Sequence, residues 1–362
     1  MTIRWLLTTV ACWLLSLSYA QQVIIVKKGD ATSLLEAVAQ ANKQNADKDS
    51  KQLYILIPDG FYDLGQKVLT TITGHHIALI GQSMQGTIIQ NKPDTKNEGI
   101  SKTAIFLNRG TNNYLQDLTL KNALDYYAAG AAGRAVTLQD KGTRTICNRV
   151  CMLSYQDTYY SDTEDGQYYF QDSEIHGTVD FICGAGDVWF ERCRVVTEKR
   201  TREGRGRNVI VAPRTSKTQW GYVFNRCTVE NRMSNFQWAR AWHTKPRCIW
   251  LYTTLMSPEK LLTTRFDSNC MRTLDLTFKE YGTMDAQGRN ITPKTNVVTF
   301  RLKQKNKVGE NEVEQERMRD IETIMTDTEA TQYTTDNVFG PWQPDRQLRR
   351  IERQAKKLME RL

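Results

Sequence analysis

The sequence holds little with which to bind a metal ion. Its four histidines, His75, His76, His176 and His243, stand at no recognised ligand spacing from another donor. Its eight cysteines include no Cys-x-x-Cys pair. A metal site is therefore not expected. Past residue 20 no stretch is long and apolar enough to span a bilayer. There is also no helix-turn-helix or RNA-binding signature, which removes the usual nucleic-acid readings.

The one long apolar run lies at the start. MTIRWLLTTVACWLLSLSYA carries a single charge, Arg4, then an apolar run from Trp5 to Leu17 and a small-x-small ending at Ser18-Tyr19-Ala20. That is the pattern of an export signal over residues 1–20, and a secreted or periplasmic protein is expected. Cys12 falls midway through the run, where it does not fit a lipidation site. Cleavage would leave seven cysteines, an odd number that argues against a complete disulfide framework. The net charge of +9 calls for an acidic partner. For an exported chain an acidic polysaccharide suits better than nucleic acid. The cations concentrate in residues 198–207 and in the C-terminal tail.

Taken in order, Val23-Ile24-Ile25-Val26 reads as a strand. Leu34, Leu35, Val38 and Ala41 then fall at helical spacing behind Asp30 or Thr32 as caps. From Leu53 to about residue 255 short β runs recur between turns, among them Leu53 to Ile57, His76 to Ile80, Ala135 to Leu138, Gln167 to Phe170 and Tyr222 to Phe224. A four-residue submotif starts at Asp117, Arg149, Asp172, Arg192 and Arg226, at uneven intervals of which the step from Asp172 to Arg192 is the shortest. A minimum near 20 with variable insertions is the signature of stacked coils. On this basis Cys193 and Cys227 are core rungs rather than reactive thiols. The fold class expected is all-β, a parallel β-helix with a short N-terminal helix and helical C-terminal segments. Residues 21–343 would form the β-helix domain, with a helix-like stretch at Val313 to Met325. Residues 344–362 would form a basic amphipathic helix, apolar at Leu348, Ile351, Ala355, Leu358 and Leu362, packed along the coils as a lid, with a contact to an anionic polymer through its Arg/Lys face as the alternative.

Two carboxylates stand out. Asp157, in Tyr155-Gln156-Asp157-Thr158, and Asp180, in Val179-Asp180-Phe181-Ile182, both sit inside strand-like runs. A buried carboxylate costs several kcal/mol unless paired or hydrogen-bonded, so two of them in close succession point to a site.

These residues carry a resemblance. Tyr155-Gln156-Asp157-Thr158, Gly177-Thr178-Val179-Asp180-Phe181-Ile182-Cys183-Gly184 and Trp238-Ala239-Arg240-Ala241-Trp242 are similar to three hallmark motifs of the pectin methylesterases, a carbohydrate esterase family built on a right-handed parallel β-helix. The resemblance runs from Val23 to about Tyr281 and resumes near Tyr333 to Trp342. It implies that Asp180 is the nucleophile and Asp157 the general acid and then base. Gln156 would donate to the oxyanion, and Arg240 would hold Asp180 ionised. Trp242, Tyr155 and Phe181 would contact the sugar, and the protein would act as a monomer on pectin, a homogalacturonan-type acidic polysaccharide.

One departure concerns Gly133-Arg134-Ala135-Val136, where the family has a glutamine as a further oxyanion donor. Arg134 could take that role with a charge, yet the same charge would lower the pKa of Asp157. A shifted substrate or pH preference is expected. Cys183 and Ala241 replace the family's phenylalanine and proline and reshape the cleft. Two other functions fit a β-helix: a lyase or glycoside hydrolase, and a non-catalytic pectin-binding protein. The retained aspartate pair favours the esterase.

Overall fold

The computed structural model describes residues 22–129, 133–308 and 311–360. The expected export signal and the last two residues of the C-terminal segment lie outside them. Parallel strands run in successive coils from Gln22–Ile25 to Met284–Asp285. A 7-stranded parallel sheet forms one wall, in the order Asn235–Ala239, Arg207–Pro213, Ile182–Gly184, Tyr159–Ser161, Leu138–Asp140, Phe106–Asn108, Thr70–Ile72. Apart from the short pair His243–Thr244 with Arg272–Thr273, the remaining coil strands form a second, strongly bent parallel sheet. The architecture is a parallel β-helix.

The intervals read from the sequence are the coil lengths. Leu118 pairs with Val150, Cys151 with Glu174, Glu174 with Arg194, and Arg194 with Thr228. These are the same steps that carry the submotif from Asp117 to Arg149, Asp172, Arg192 and Arg226. Each submotif opens on a left-handed residue: φ is 53° at Asp117, 52° at Arg149, 49° at Asp172, 50° at Arg192 and 53° at Arg226. One such residue turns the chain between two strands, and stacking repeats the turn along the coil. Charge alternation stabilises the corners. Arg149 grips Asp117 through Nε at 2.6 Å and Nη2 at 2.9 Å, and Arg192 grips Asp172 through both nitrogens at 2.9 Å.

Inside, like residues sit over like because parallel pairing is in register. Phe170, Phe190, Phe224 and Trp250 form a ladder with successive centroids 4.7, 4.5 and 3.9 Å apart. Cys193 and Cys227 are buried rungs, and the seven cysteines among the described residues are free thiols. The helix Ala31–Gln44 is capped by the Asp30 carboxylate, which accepts from Ser33 N; it buries Leu34, Ala37, Val38 and Ala41 over the first coils. Thr32 lies within the helix rather than capping it.

Two expectations change. The strand expected from Ala135 begins only at Leu138. The helix expected over Val313 to Met325 is instead one arm of an antiparallel hairpin, Val297–Val308 with Asn311–Glu322. Its partner arm alternates buried Val298, Phe300 and Leu302 with exposed neighbours, a two-residue period that helices do not have. Lys303 also lies across the ladder from Glu314 and Glu316, at 3.3 and 3.4 Å. The C-terminal helix Pro344–Met359 lies on the outer face of the coils. There Leu348, Ile351, Ala355 and Leu358 pack against Tyr54, Ile80, Tyr114, Ile146 and Tyr169. No described helix is long and apolar enough to cross a membrane.

Candidate active site

The two aspartates occupy one position on successive coils. Tyr159 pairs with Ile182, and the step along the chain between those two is the one that separates Asp157 from Asp180. Both acids precede a strand of the 7-stranded sheet, and both are left-handed, with φ 61° and 53°. A non-glycine residue in that region is uncommon, and side by side the pair places both carboxyls at the same edge. Adjacent parallel strands are about 4.8 Å apart, so stacking alone sets two acids next to each other. Gly177 makes room for this turn, since a Cβ there would sit 2.1 Å from the Phe181 Cβ.

The environments of the two acids differ. Asp180 is 5% exposed and receives a forked pair from Arg240, Nε to Oδ1 at 2.8 Å and Nη2 to Oδ2. Burial leaves its carboxyl above the ordinary range, and the charge and hydrogen bonds of Arg240 offset part of that rise. A planar guanidinium fork is the partner that best keeps a buried carboxylate ionised. Asp157 is 4% exposed and has no such partner among the described residues. Burial first, and the neighbouring Asp180 second, push it up to about 8. Like charges in one site force one acid to keep its proton. Asp157 therefore carries a proton at neutral pH beside a carboxylate that is held by a cation.

Cys183, in register with Tyr160 and Ala212, points its thiol at Asp157 Oδ1 from 3.7 Å. Gln156 is partly exposed, and among the described residues its side-chain amide makes no hydrogen bond. Trp242 is partly exposed beside Tyr160, with ring centroids 6.3 Å apart, and the Arg214 guanidinium lies over both rings at 5.7 and 6.0 Å. Arg214 is in turn held by Asp162 at 2.8 Å and by Glu164. Tyr155 stacks on Tyr126 at 4.7 Å with the rings 5° from parallel.

Two residues depart from expectation. Phe181 is fully buried in the core of the coil, so it cannot touch a sugar; a residue next to Asp180 in a β-turned segment must face inward when Asp180 faces the cleft. Arg134 does not aim its fork at Asp157. Glu98 accepts from its backbone N at 3.0 Å, its Nε at 3.1 Å and its Nη2 at 3.2 Å. The charge of Arg134 still opposes the rise in Asp157, but it ranks below burial and Asp180. Glu98, Arg214 and Tyr126 escaped sequence reasoning because each reaches the site from a distant coil or loop, with no local motif to mark it.

Sequence spacing also missed one cluster of possible metal ligands. Cys151, Glu174 and His176 bring three such atoms within 4.8 Å of one another. Their positions are already taken up by ion pairs. His176 meets Glu174 at 2.5 Å and Glu198 at 2.7 Å, and Arg194 Nη1 lies 2.5 Å from the same Glu174 oxygen. A guanidinium stands where a cation would bind, and the cluster fits a buttress beneath the Gly177 turn.

Known proteins resemble this chain in sequence and in fold. The sequence profile of the family described as Pectinesterase matches residues 22–259. "Pectinesterase 3" of Solanum lycopersicum is 29% identical over 184 residues, covering 51% of this chain and 31% of that protein. "Probable pectinesterase 50" of Arabidopsis thaliana is 26% identical over 241 residues, covering 66% and 64%. The matched part thus spans only about a third to two thirds of these curated relatives' length. Among solved structures, the pectin methylesterase PemA from Erwinia chrysanthemi superimposes with a TM-score of 0.65 at 21% identity, covering 89% of this chain and 98% of that one. The pectin methylesterase from carrot gives 0.60 at 21% identity, covering 75% and 85%. At that identity the likeness shows the fold, a parallel β-helix. With the family profile matched over well more than half of its length, the chain belongs to the pectinesterase family.

Proposed function

We propose that this protein is a pectin methylesterase that hydrolyses methyl esters of galacturonate units and releases methanol. The observation that carries the reading is the stacked pair Asp157/Asp180, one acid protonated near neutrality and the other forked by Arg240. Asp180 attacks the ester carbonyl carbon, and the carbonyl electron pair moves onto oxygen. The Gln156 amide, which has no partner among the described residues, donates to that oxyanion. As the tetrahedral intermediate collapses, the carbon–methoxy bond breaks, and Asp157 hands its proton to the departing oxygen so that methanol leaves. Asp157, now a carboxylate, takes a proton from water as the water attacks the acyl–Asp180 bond. Cleavage frees Asp180 and the galacturonate, and the second proton balances the new acid. No metal or organic cofactor has a part in these steps.

Arg134, with two of its guanidinium nitrogens engaged by Glu98, acts as a wall of the cleft and leaves the oxyanion to Gln156. That change in the cleft fits specialisation for a less common region of pectin. Trp242 and the Tyr155–Tyr126 stack offer sugar-binding faces. A solved pectin methylesterase of this fold is described in complex with a hexasaccharide, which supports a polymer substrate here. Residues 1–20 serve as the export signal, and the enzyme acts as a monomer outside the cytoplasm.

The test is methanol release from highly methylated pectin across roughly pH 5 to 9, a span that brackets the shifted acid. The purified chain is compared with Asp180→Asn. Release that the substitution abolishes supports the assignment. A folded wild-type chain that frees no methanol from ordinary or branched pectins overturns it; unsaturated ends would mark a lyase, and retention without products a binding protein.

A further inference from the structure

The C-terminal helix Pro344–Met359 carries an outer face with no role in the chemistry above. Six of its cations, Arg346, Arg349, Arg350, Arg353, Lys356 and Lys357, are exposed, and among the described residues none makes an ion pair. Neighbouring acids normally neutralise such a row, at i±3 or i±4. Here two of the segment's three acids are turned toward the coils. Asp345 accepts from the Tyr169 hydroxyl at 2.6 Å, and Glu352 accepts from Arg149 Nη1 at 2.5 Å. Against the six cations stands only Glu360, exposed at the C-terminal end four residues from Lys356, so the row keeps a net positive charge along about three turns of helix.

The row also borders two concave surfaces. A cavity of about 670 Å³ is lined by Arg149, Arg349, Arg353 and Lys356, with amides from Gln82 and Gln116; of its three acids, Asp117 and Glu352 are bound to Arg149, and Glu360 sits at the helix end. A second of about 590 Å³ is lined by Lys51, Gln52, His76, Arg350 and Arg353. Arg353 stands between them, so the two form one cationic track across the helix.

We infer that this track is a second, non-catalytic binding site for a linear polyuronate, the de-esterified product of the reaction proposed above. The inference rests on that reading. A strip of guanidinium and ammonium groups with amide donors attracts a chain bearing one carboxylate per sugar, and has no comparable hold on the neutral methyl ester. The site lies on the outer face of the large bent sheet, while the aspartates border the 7-stranded one. A polymer held at the track therefore keeps still-methylated stretches near the cleft, by raising their effective concentration. A lipid surface is the poorer occupant. Helices that lie on membranes insert an apolar face, and this helix has already spent Leu348, Ile351, Ala355 and Leu358 on the coil.

The test uses the full chain with Asp180→Asn, so that the polymer is not altered during measurement. Retention by immobilised polygalacturonate and by highly methylated pectin is compared with that of the same chain carrying Arg346→Gln, Arg349→Gln, Arg353→Gln and Lys356→Gln. Multivalent contact predicts a loss of about tenfold or more on polygalacturonate and little change on methylated pectin. Retention on polygalacturonate should also fall steeply between about 0.05 and 0.5 M salt, where screening sets in. In the active background, kcat/KM on a short methylated oligosaccharide should be unchanged.

Equal retention of the glutamine variant, an equal loss on both polymers, or retention indifferent to salt would each overturn the site. So would tighter holding by phosphatidylserine vesicles than by polygalacturonate. If the fourfold variant fails to fold, the double variant Arg349→Gln with Arg353→Gln decides: it should lose at least about threefold on polygalacturonate and nothing on methylated pectin, and unchanged retention on polygalacturonate would overturn the site. Absence of methanol release by the wild type would sink the esterase while leaving these retention results readable.

Discussion

Replacing Asp157 by asparagine is expected to abolish methanol release and, at neutral and alkaline pH, to stabilise the fold. The magnitude follows from burial. The carboxyl is 4% exposed, and its pKa rises from 3.8 to about 8 on folding. Below pH 4 both folded and unfolded chains hold the proton, and the acid costs nothing. Between those values the unfolded chain has lost the proton and the folded chain keeps it, so each further pH unit subtracts about 1.4 kcal/mol from stability. The cost is complete once the pH has passed about 8 and amounts to something on the order of 6 kcal/mol.

Asparagine has no proton to lose in this range and still offers an oxygen to the Cys183 thiol. Urea unfolding of both proteins at pH values from about 4 to 9 measures the difference directly. The gap should be small at the acid end, widen through neutrality and level off near pH 8. A gap that is constant with pH, or a wild type that is the more stable at pH 8, would refute the reasoning that Asp157 is a protonated buried acid. Methanol release would fall through the same upper limb in the wild type, because the leaving group loses its proton donor.

Arg240→Lys should lower kcat by on the order of a hundredfold, since one ammonium cannot reproduce the fork that orients Asp180, while KM for pectin changes little; near-wild-type kcat would remove Arg240 from its role. Glu98→Gln frees the charge of Arg134 to act on Asp157, and the alkaline limb of the pH–rate profile should move to lower pH; an unmoved limb would show that the Arg134–Glu98 pair is electrostatically silent there. Phe181→Ala should cost about 3 to 5 kcal/mol, the range for emptying a large core site, read as a drop in the urea midpoint, with KM of the folded fraction unchanged. A rise in KM without loss of stability would restore Phe181 to the cleft.

What the sequence determined by itself was the repeat and the chemistry of the pair. The uneven steps from Asp117 through Arg149, Asp172 and Arg192 to Arg226 are local patterns, because each coil must place an aliphatic rung after its corner, and they reappear as strand registers. Asp157 and Asp180 were visible because a carboxylate among strand residues violates the ordinary burial of charge. The C-terminal amphipathic helix was legible from its periodicity for a similar reason, as both faces lie within one segment.

What only the tertiary structure decided is whatever depends on how coils stack. Register placed two acids from different coils side by side and gave only Asp180 a guanidinium partner, turned Phe181 inward, and brought Glu98 onto Arg134 from 36 residues away. The hairpin Val297–Val308 with Asn311–Glu322 escaped notice because its second arm has apolar residues spaced for a helix, and only the facing strand reveals the ladder. A side chain's partner across a coil is fixed by three-dimensional pairing, whose offsets vary with each loop length. No window along the chain contains that information.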